Sequence, residues 1–298
     1  MNSNPKVKHK IKVVIKKKKR PDEKKVHKSN SQYKTIVSET TVDFFVKKFI
    51  DLLKRKVIIR RFDKNLKDKS FIKSKSDPCG QEGHYVEKLM GIKPNCKNNP
   101  DLLGYECKKY SPVITFIDKQ TDHKYYEGTE FKSKDLLIKT HYWNTFARSN
   151  SKDLRIGGWK LNKFDNDGQC LKLDDHNNIN IVYNFNHDKR HDKNKRVSNY
   201  YHNYNDHIIG TWCGKTIKKT IEDKFNQNGF FICKSVNGIY TELSFGRTIN
   251  FEEWIESFKQ QKIYYDGYSK LNEKNGKPSR WRGSFRASKK WWDNLLIK

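Results

Sequence analysis

Pro100-Asp101-Leu102-Leu103-Gly104-Tyr105-Glu106-Cys107-Lys108 is the stretch that decides how this 298-residue chain is read. Side chains on a strand alternate between its two faces, so Glu106 and Lys108 share one face while Tyr105 and Cys107 take the other. Pro100 cannot donate into a sheet ladder and marks the entry to the strand. Gly104 permits a bulge or bend that swings Asp101 back beside Glu106. Two neighbouring carboxylates repel each other unless a cation neutralises them. Hard oxygen ligands of this kind suit Mg²⁺, which keeps several waters and shares its shell with phosphate. The backbone carbonyl of Cys107 is a further candidate ligand, its thiol being expected in the hydrophobic layer. Lys108 is placed to orient an attacking water or to offset charge on a reacting phosphate. Glu-x-Lys recurs at Glu23/Lys25, Glu130/Lys132 and Glu222/Lys224, but none of these has an Asp five residues upstream.

Around this segment the pattern predicts helices and strands in mixed order. Val42 to Lys56 reads as a helix behind the capping candidates Ser38 to Thr41, and Lys56 to Phe62 as a short strand. Asp77-Pro78-Cys79-Gly80 is a turn, and Gly83 to Ile92 a second helix ended by Gly91 and Pro94. Leu102 to Tyr110 and Val113 to Ile117 read as a hairpin across Ser111-Pro112. Leu136 to Thr140, Ile179 to Phe185, Phe230 to Ser235 and Gly238 to Leu243 also look extended. Phe251 to Phe258 is a helix. Residues 187 to 207, rich in His and Asn, read as a flexible tip or a DNA-facing loop. The order implies an α/β or α+β sheet flanked by helices rather than a βαβ repeat.

Charge sets the class of partner. Lys and Arg number 63 against 34 Asp and Glu, a formal net charge of +29. Such a field calls for a polyanion. The sequence has no apolar run of membrane-spanning length and no signal-peptide core, so nucleic acid is favoured over a membrane. Residues 1 to 34 hold thirteen Lys or Arg and two acids, a self-repelling block expected to be disordered. It reads as a nuclear-localisation signal, a DNA tether or a solvated tail. The six cysteines include no CxxC pair, which fits free thiols in a reducing, intracellular compartment. Cys79, His84, Cys96 and Cys107 match no zinc spacing.

From Gly83 to Lys108 the sequence resembles the MvaI/BcnI family of type II restriction endonucleases, PD-(D/E)xK nucleases related to the mismatch-repair nickase MutH. The family pattern is a helix carrying a Glu, then an Asn, then "PDL.G.E.K". Here these are Val86-Glu87-Lys88-Leu89-Met90-Gly91-Ile92, Asn95 and Pro100 to Lys108, with Glu87 fourteen residues before Asp101 as in the family. The resemblance implies an active site of Glu87, Asp101, Glu106 and Lys108, with Mg²⁺ on Asp101, Glu106 and the Cys107 carbonyl. A looser match follows near the C-terminus, where the family has a strand ending in an acid and then an "HxHGTxFR" segment that reads bases. This chain has Ile263 to Gly267, which includes Asp266, and then Arg280-Trp281-Arg282-Gly283-Ser284-Phe285-Arg286. Arg280 and Arg282 replace the two His, and one residue is missing before Phe285. An Arg fork suits guanine O6/N7, so the base preference should differ, or these residues hold phosphates.

The resemblance implies a bilobal fold. Its parts would be a basic tail (residues 1–35) and a nuclease domain (36–298), divided into a catalytic lobe (about 36–140 with the C-terminal helix region) and a DNA-recognition lobe (about 141–290). It implies a monomeric Mg²⁺-dependent endonuclease for double-stranded DNA, cutting both strands or nicking them in turn, with a cognate methyltransferase as its expected companion. The alternatives are a MutH-like repair nickase and a non-catalytic basic DNA-packaging protein. Three carboxylates beside a phosphate path count against the last.

Overall fold

The computed structural model describes residues 12–13, 39–53, 60–62, 71–73, 86–87, 90–92, 99–131, 136–150, 153–203, 205–236, 239–272 and 282–297. The Asp77–Gly80 turn, Asn95 and Arg280 lie outside the described residues. The chain divides into two compact units: residues 1–114, 222–250 and 289–298 form the first, and residues 115–221 and 251–288 the second.

The first unit is built on a four-stranded mixed sheet, in the spatial order Lys12–Val13, Ile239–Gly246, Phe230–Val236, Glu106–Lys109. Phe230–Val236 and Ile239–Gly246 are the antiparallel pair at its centre. Glu106–Lys109 runs parallel to Phe230–Val236, with Glu106 opposite Phe230 and Lys108 opposite Ile232. Alternation then sorts the residues. Tyr105, Cys107, Phe231 and Cys233 join Phe45 and Phe49 of the helix Glu39–Leu53 in one apolar cluster with Val86, Met90 and Phe245. Phe45 meets Tyr105, Phe231 and Phe245 edge-on, with centroids 4.8–5.6 Å apart. Phe230, of opposite parity, meets Trp292, which in turn packs on Phe225.

The second unit carries two five-stranded sheets. One is ordered Asp167–Leu173, Ile179–Asp188, His207–Trp212, His123–Tyr126, Thr129–Glu130; the other Val113–Asp118, Arg282–Ser288, Ile263–Asn272, Asp153–Gly157, Arg148–Asn150. Its core is aromatic. Trp254 and Phe258 of the helix Phe251–Lys259 pack on Phe285, which also meets Trp212 and Tyr265. In the pair Gly267 opposite Gly283, a Cβ on Gly283 would fall within bonding distance of the Tyr265 hydroxyl, so only glycine fits beneath that ring.

The mixed α/β fold class is as expected, but several elements differ. Leu102 to Tyr110 is not one strand: the chain turns at Leu102–Tyr105, and the strand begins at Glu106. Nor does it pair with the next strand. Val113–Asp118 joins Arg282–Ser288 in another sheet, because Pro112 cannot donate into a ladder and its carbonyl is taken by the amide of Lys289. Leu136 to Thr140 belongs to a helix, Leu136–Phe146, whose buried face is Tyr142, Trp143 and Phe146. The short run Leu136-Leu137-Ile138 fits either period, and Leu137 ends up 79% exposed. The 187–207 segment contains a helical turn at Lys193–Arg196 and a 3₁₀ turn at Asn199–Tyr201. Among the described residues no helix is long and apolar enough to cross a membrane.

Candidate active site

Asp101 reaches its partner through a two-residue turn. The amide of Leu102 donates to the carbonyl of Tyr105 (3.0 Å), and the amide of Tyr105 donates back (2.9 Å). Leu103 and Gly104 between them have φ of 49° and 78°, the left-handed pair of a type I′ turn. The bend expected at Gly104 is therefore a tight hairpin. A Cβ on Gly104 would crowd Gln227 and Asn228, and Asn228 braces the turn by donating its side-chain amide to the Leu103 carbonyl (2.9 Å). Folded back this way, Asp101 Oδ2 accepts the Cys107 amide at 2.9 Å, in the middle of the segment that carries Glu106 and Lys108.

Glu106 is the buried centre, 3% exposed. Its Oε1 accepts from Lys108 Nζ at 2.9 Å and from Lys224 Nζ at 3.0 Å. Its Oε2 is buried with no hydrogen-bond partner. Burial pulls the Glu106 carboxyl upward, but the two lysines outweigh it and hold the group below its ordinary range. Lys108 is buried too, yet the Glu106 charge keeps its ammonium above the usual lysine value. Asp101 goes the other way: burial and then the charge of Glu106 push it up to about 6, which the Cys107 amide and both lysines only moderate.

Cys107 faces the apolar cluster, and burial, with Cys233, Asp101 and Glu87 adding to it, raises its thiol well above the usual range. That effect also shows that Glu87, on the short helical segment Val86–Glu87, lies within electrostatic reach of Cys107. Glu87, Asp101, Glu106, Cys107 and Lys108 thus all fall in the first unit.

Lys224 was not among the expected residues. It sits in the last turn of the helix Gly214–Phe225, and Ile217, Ile221 and Phe225 give that helix its buried stripe. The four-residue spacing of those three residues was the available signal, masked by five lysines and acids between them.

A hard divalent cation fits these residues. Asp101 and Glu106 offer two oxygen ligands, one buried oxygen lacks any donor, and the charge on Asp101 is held at a disadvantage that a cation would relieve.

The expected DNA-reading residues lie in the second unit. Asp266 and Arg286 sit on the paired strands Ile263–Asn272 and Arg282–Ser288, and Arg286 Nη1 donates to Asp266 Oδ2 at 2.7 Å. Arg286 Nε is buried without a partner. Arg282 lies opposite Tyr268 at the start of its strand, whereas Arg280 is outside the described residues.

With this geometry in place, comparison with known proteins decides the family. The family model described as LlaMI restriction endonuclease matches residues 64–298, about four-fifths of the chain. The chain belongs to that family. A relative, the type II restriction enzyme ScrFI of Lactococcus lactis subsp. cremoris, is 29% identical over 245 residues, which cover 73% of this chain and 87% of ScrFI. A solved complex of the restriction endonuclease MvaI with its cognate DNA substrate aligns over 88% of this chain and 98% of its own, with 11% identity and a TM-score of 0.48. The MvaI structure without DNA gives a TM-score of 0.37. The expected type II restriction endonuclease is thus what the chain is, a site-specific deoxyribonuclease, and the DNA-packaging alternative falls.

Proposed function

We propose that this endonuclease hydrolyses DNA phosphodiesters with Mg²⁺ held by Asp101, Glu106 and the Cys107 carbonyl, with Glu87 and Lys108 completing the centre. The observation that carries the reading is the unfinished coordination of Glu106: two ammonium groups on one oxygen and none on the other, beside an Asp101 whose charge is disfavoured. When bound, the cation supplies Lewis-acid activation of the scissile phosphate and of the attacking water. The remaining work belongs to the chain. The type I′ turn fixes Asp101, and its bond from the Cys107 amide leaves Oδ1 free of that contact. Lys108, held on a strand and buried, presents a charge that does not titrate near neutrality and that offsets negative charge growing on the phosphate. Glu87 adds a third carboxylate close to the same strand segment.

Asp266, Arg280, Arg282 and Arg286 are proposed to contact the DNA. The exposed Asp266–Arg286 pair is worth little to folding, which leaves both groups available for exchange onto base edges or phosphates. In this reading the chain acts as a monomer with one centre, so the two strands are cut in turn, and a methyltransferase of matching specificity protects host DNA. The catalytic lobe (about 36–140 with the C-terminal helix region), the recognition lobe (about 141–290) and the basic tail (1–35) are part of the same proposal.

The test is cleavage of unmethylated plasmid with and without Mg²⁺, wild type beside Asp101→Ala. Discrete fragments or nicked circles from the wild type with Mg²⁺, and intact plasmid from the variant, are expected. Cleavage by folded Asp101→Ala at the wild-type rate would overturn the site.

A further inference from the structure

Lys224 stands on the carboxylate that the cation needs. The two carboxylates Asp101 and Glu106 and the ammonium groups of Lys108 and Lys224, both on Glu106 Oε1, make a four-group cluster whose charges balance. Without metal the cluster is therefore electrically closed, which explains how Glu106 stays ionised at 3% exposure. A divalent cation entering beside Asp101 and Glu106 adds two positive charges within a few ångströms of both lysines. One ammonium then repels the newcomer unless it moves.

The two lysines are not equally free to do so. Lys108 is fixed on the sheet, its side chain 11% exposed and its Nζ lying 5.2 Å from the centroid of the Phe225 ring. Lys224 is on the last turn of a helix, and its side chain is 21% exposed, about twice as much as that of Lys108. A long flexible side chain anchored at a helix end can swing its ammonium through several ångströms at small energetic cost.

We propose that Lys224 is a displaceable counter-ion of the nuclease centre: it neutralises Glu106 while the metal is away, leaves Oε1 when the metal binds, and then contacts the scissile phosphate. This role rests on the metal-site reading given above. It has an unusual consequence, because Lys224 competes with the cation in the absence of DNA yet assists the reaction in its presence. Removing it should therefore move the two properties in opposite directions, something a residue that merely supports the fold does not do.

The experiment measures Mn²⁺ binding to the full-length chain without DNA by calorimetry, and Mg²⁺-dependent plasmid cleavage, for wild type, Lys224→Met and Lys224→Arg. Lys224→Met should bind Mn²⁺ several-fold more tightly than wild type and cleave at least tenfold more slowly, with Lys224→Arg close to wild type in both. Unchanged or weaker Mn²⁺ binding by folded Lys224→Met, or undiminished cleavage, overturns the proposal. Should Lys224→Met fail to fold, the wild type decides alone. Amine acetylation mapped by mass spectrometry should rise several-fold at Lys224, and not at Lys108, when Ca²⁺ replaces EDTA; an equal rate in both conditions overturns the proposal. Wild type that binds no Mn²⁺ at all, or binding that survives Asp101→Ala, defeats the metal-site reading itself rather than the role of Lys224.

Discussion

The second unit contains a buried carboxylate that makes an instructive pair with Glu106. Asp188 is fully buried, and its partner is Arg190. Arg190 Nε donates to both carboxylate oxygens (2.9 and 3.1 Å), the Arg190 amide donates to Oδ1 (3.0 Å), and the Tyr183 hydroxyl to Oδ2 (2.8 Å). Burial acts to raise that carboxyl, but Arg190 wins and holds it below its ordinary value. Both oxygens are satisfied by a planar fork whose geometry matches a carboxylate. Glu106 is buried as deeply, yet its cations are two point charges on one oxygen, the other oxygen has no donor, and a second carboxylate is nearby. Net charge compensation is present in both places. Only at Asp188 is the hydrogen bonding complete, and on the proposed reading that difference separates a cluster that holds a fold from one prepared for a ligand.

The sharpest way to break the comparison is to remove each charge in turn. Glu106→Gln should lower Mg²⁺-dependent cleavage on the order of 10²–10³-fold, because charge placed for the transition state is lost; a plasmid assay showing less than a tenfold loss would end the distinction. Asp188→Ala should act on stability instead, costing about 3–5 kcal/mol through the uncompensated Arg190. Urea unfolding measures that loss, and cleavage per folded molecule should match wild type.

A smaller effect follows from Asp101. Its carboxyl is pushed up to about 6 from the ordinary aspartate value of 3.8, so the folded chain binds that proton more tightly than the unfolded chain does. The stability of the metal-free protein therefore falls as pH rises from about 4 to about 6, and Asp101→Asn should recover roughly 1 kcal/mol at pH 7, allowing for partial exposure. In the same window the proton competes with metal, and Mn²⁺ affinity should drop up to about tenfold per pH unit below 6. Calorimetry at pH 5 and pH 7 that gave equal affinities would show that Asp101 does not titrate on binding. The least effect is expected at Leu103, half exposed with φ of 49°. Leu103→Asn suits that conformation and should stabilise the fold by about 0.5 kcal/mol, read as a higher Tm.

Much of the candidate site's geometry was legible because its residues are local. Asp101, Glu106 and Lys108 fall within eight positions, and strand alternation alone puts Cys107 in the core and Glu106 opposite it. Long, strongly patterned elements were legible too: Phe251–Lys259 and Ile179–Asp188 run close to their expected limits. The failures have different causes. Lys224 meets Glu106 from 118 positions away, and the apolar spacing that marks its helix does not single out one lysine among so many. The bend at Gly104 was expected, but its hairpin form was not, because Leu103 is a poor occupant of a left-handed position and the usual Asn-Gly signature is absent. Leu136–Phe146 was misread because its opening apolar run lacks a helical period, and its buried aromatic face comes only later.

The parallel register between Glu106–Lys109 and Phe230–Val236 has a consequence in time. A ribosome that has delivered the complete PD-(D/E)xK segment, which ends at Lys108, must still add 122 residues (230 − 108) to reach Phe230, where the neighbouring strand begins. At about 5–20 residues per second that delay is roughly 6–25 s. Throughout it the nascent chain carries the carboxylates of the proposed centre but lacks the strand against which Glu106–Lys109 is paired. On the proposed assignment, chain order alone delays assembly of the centre until well after its own segment has been made.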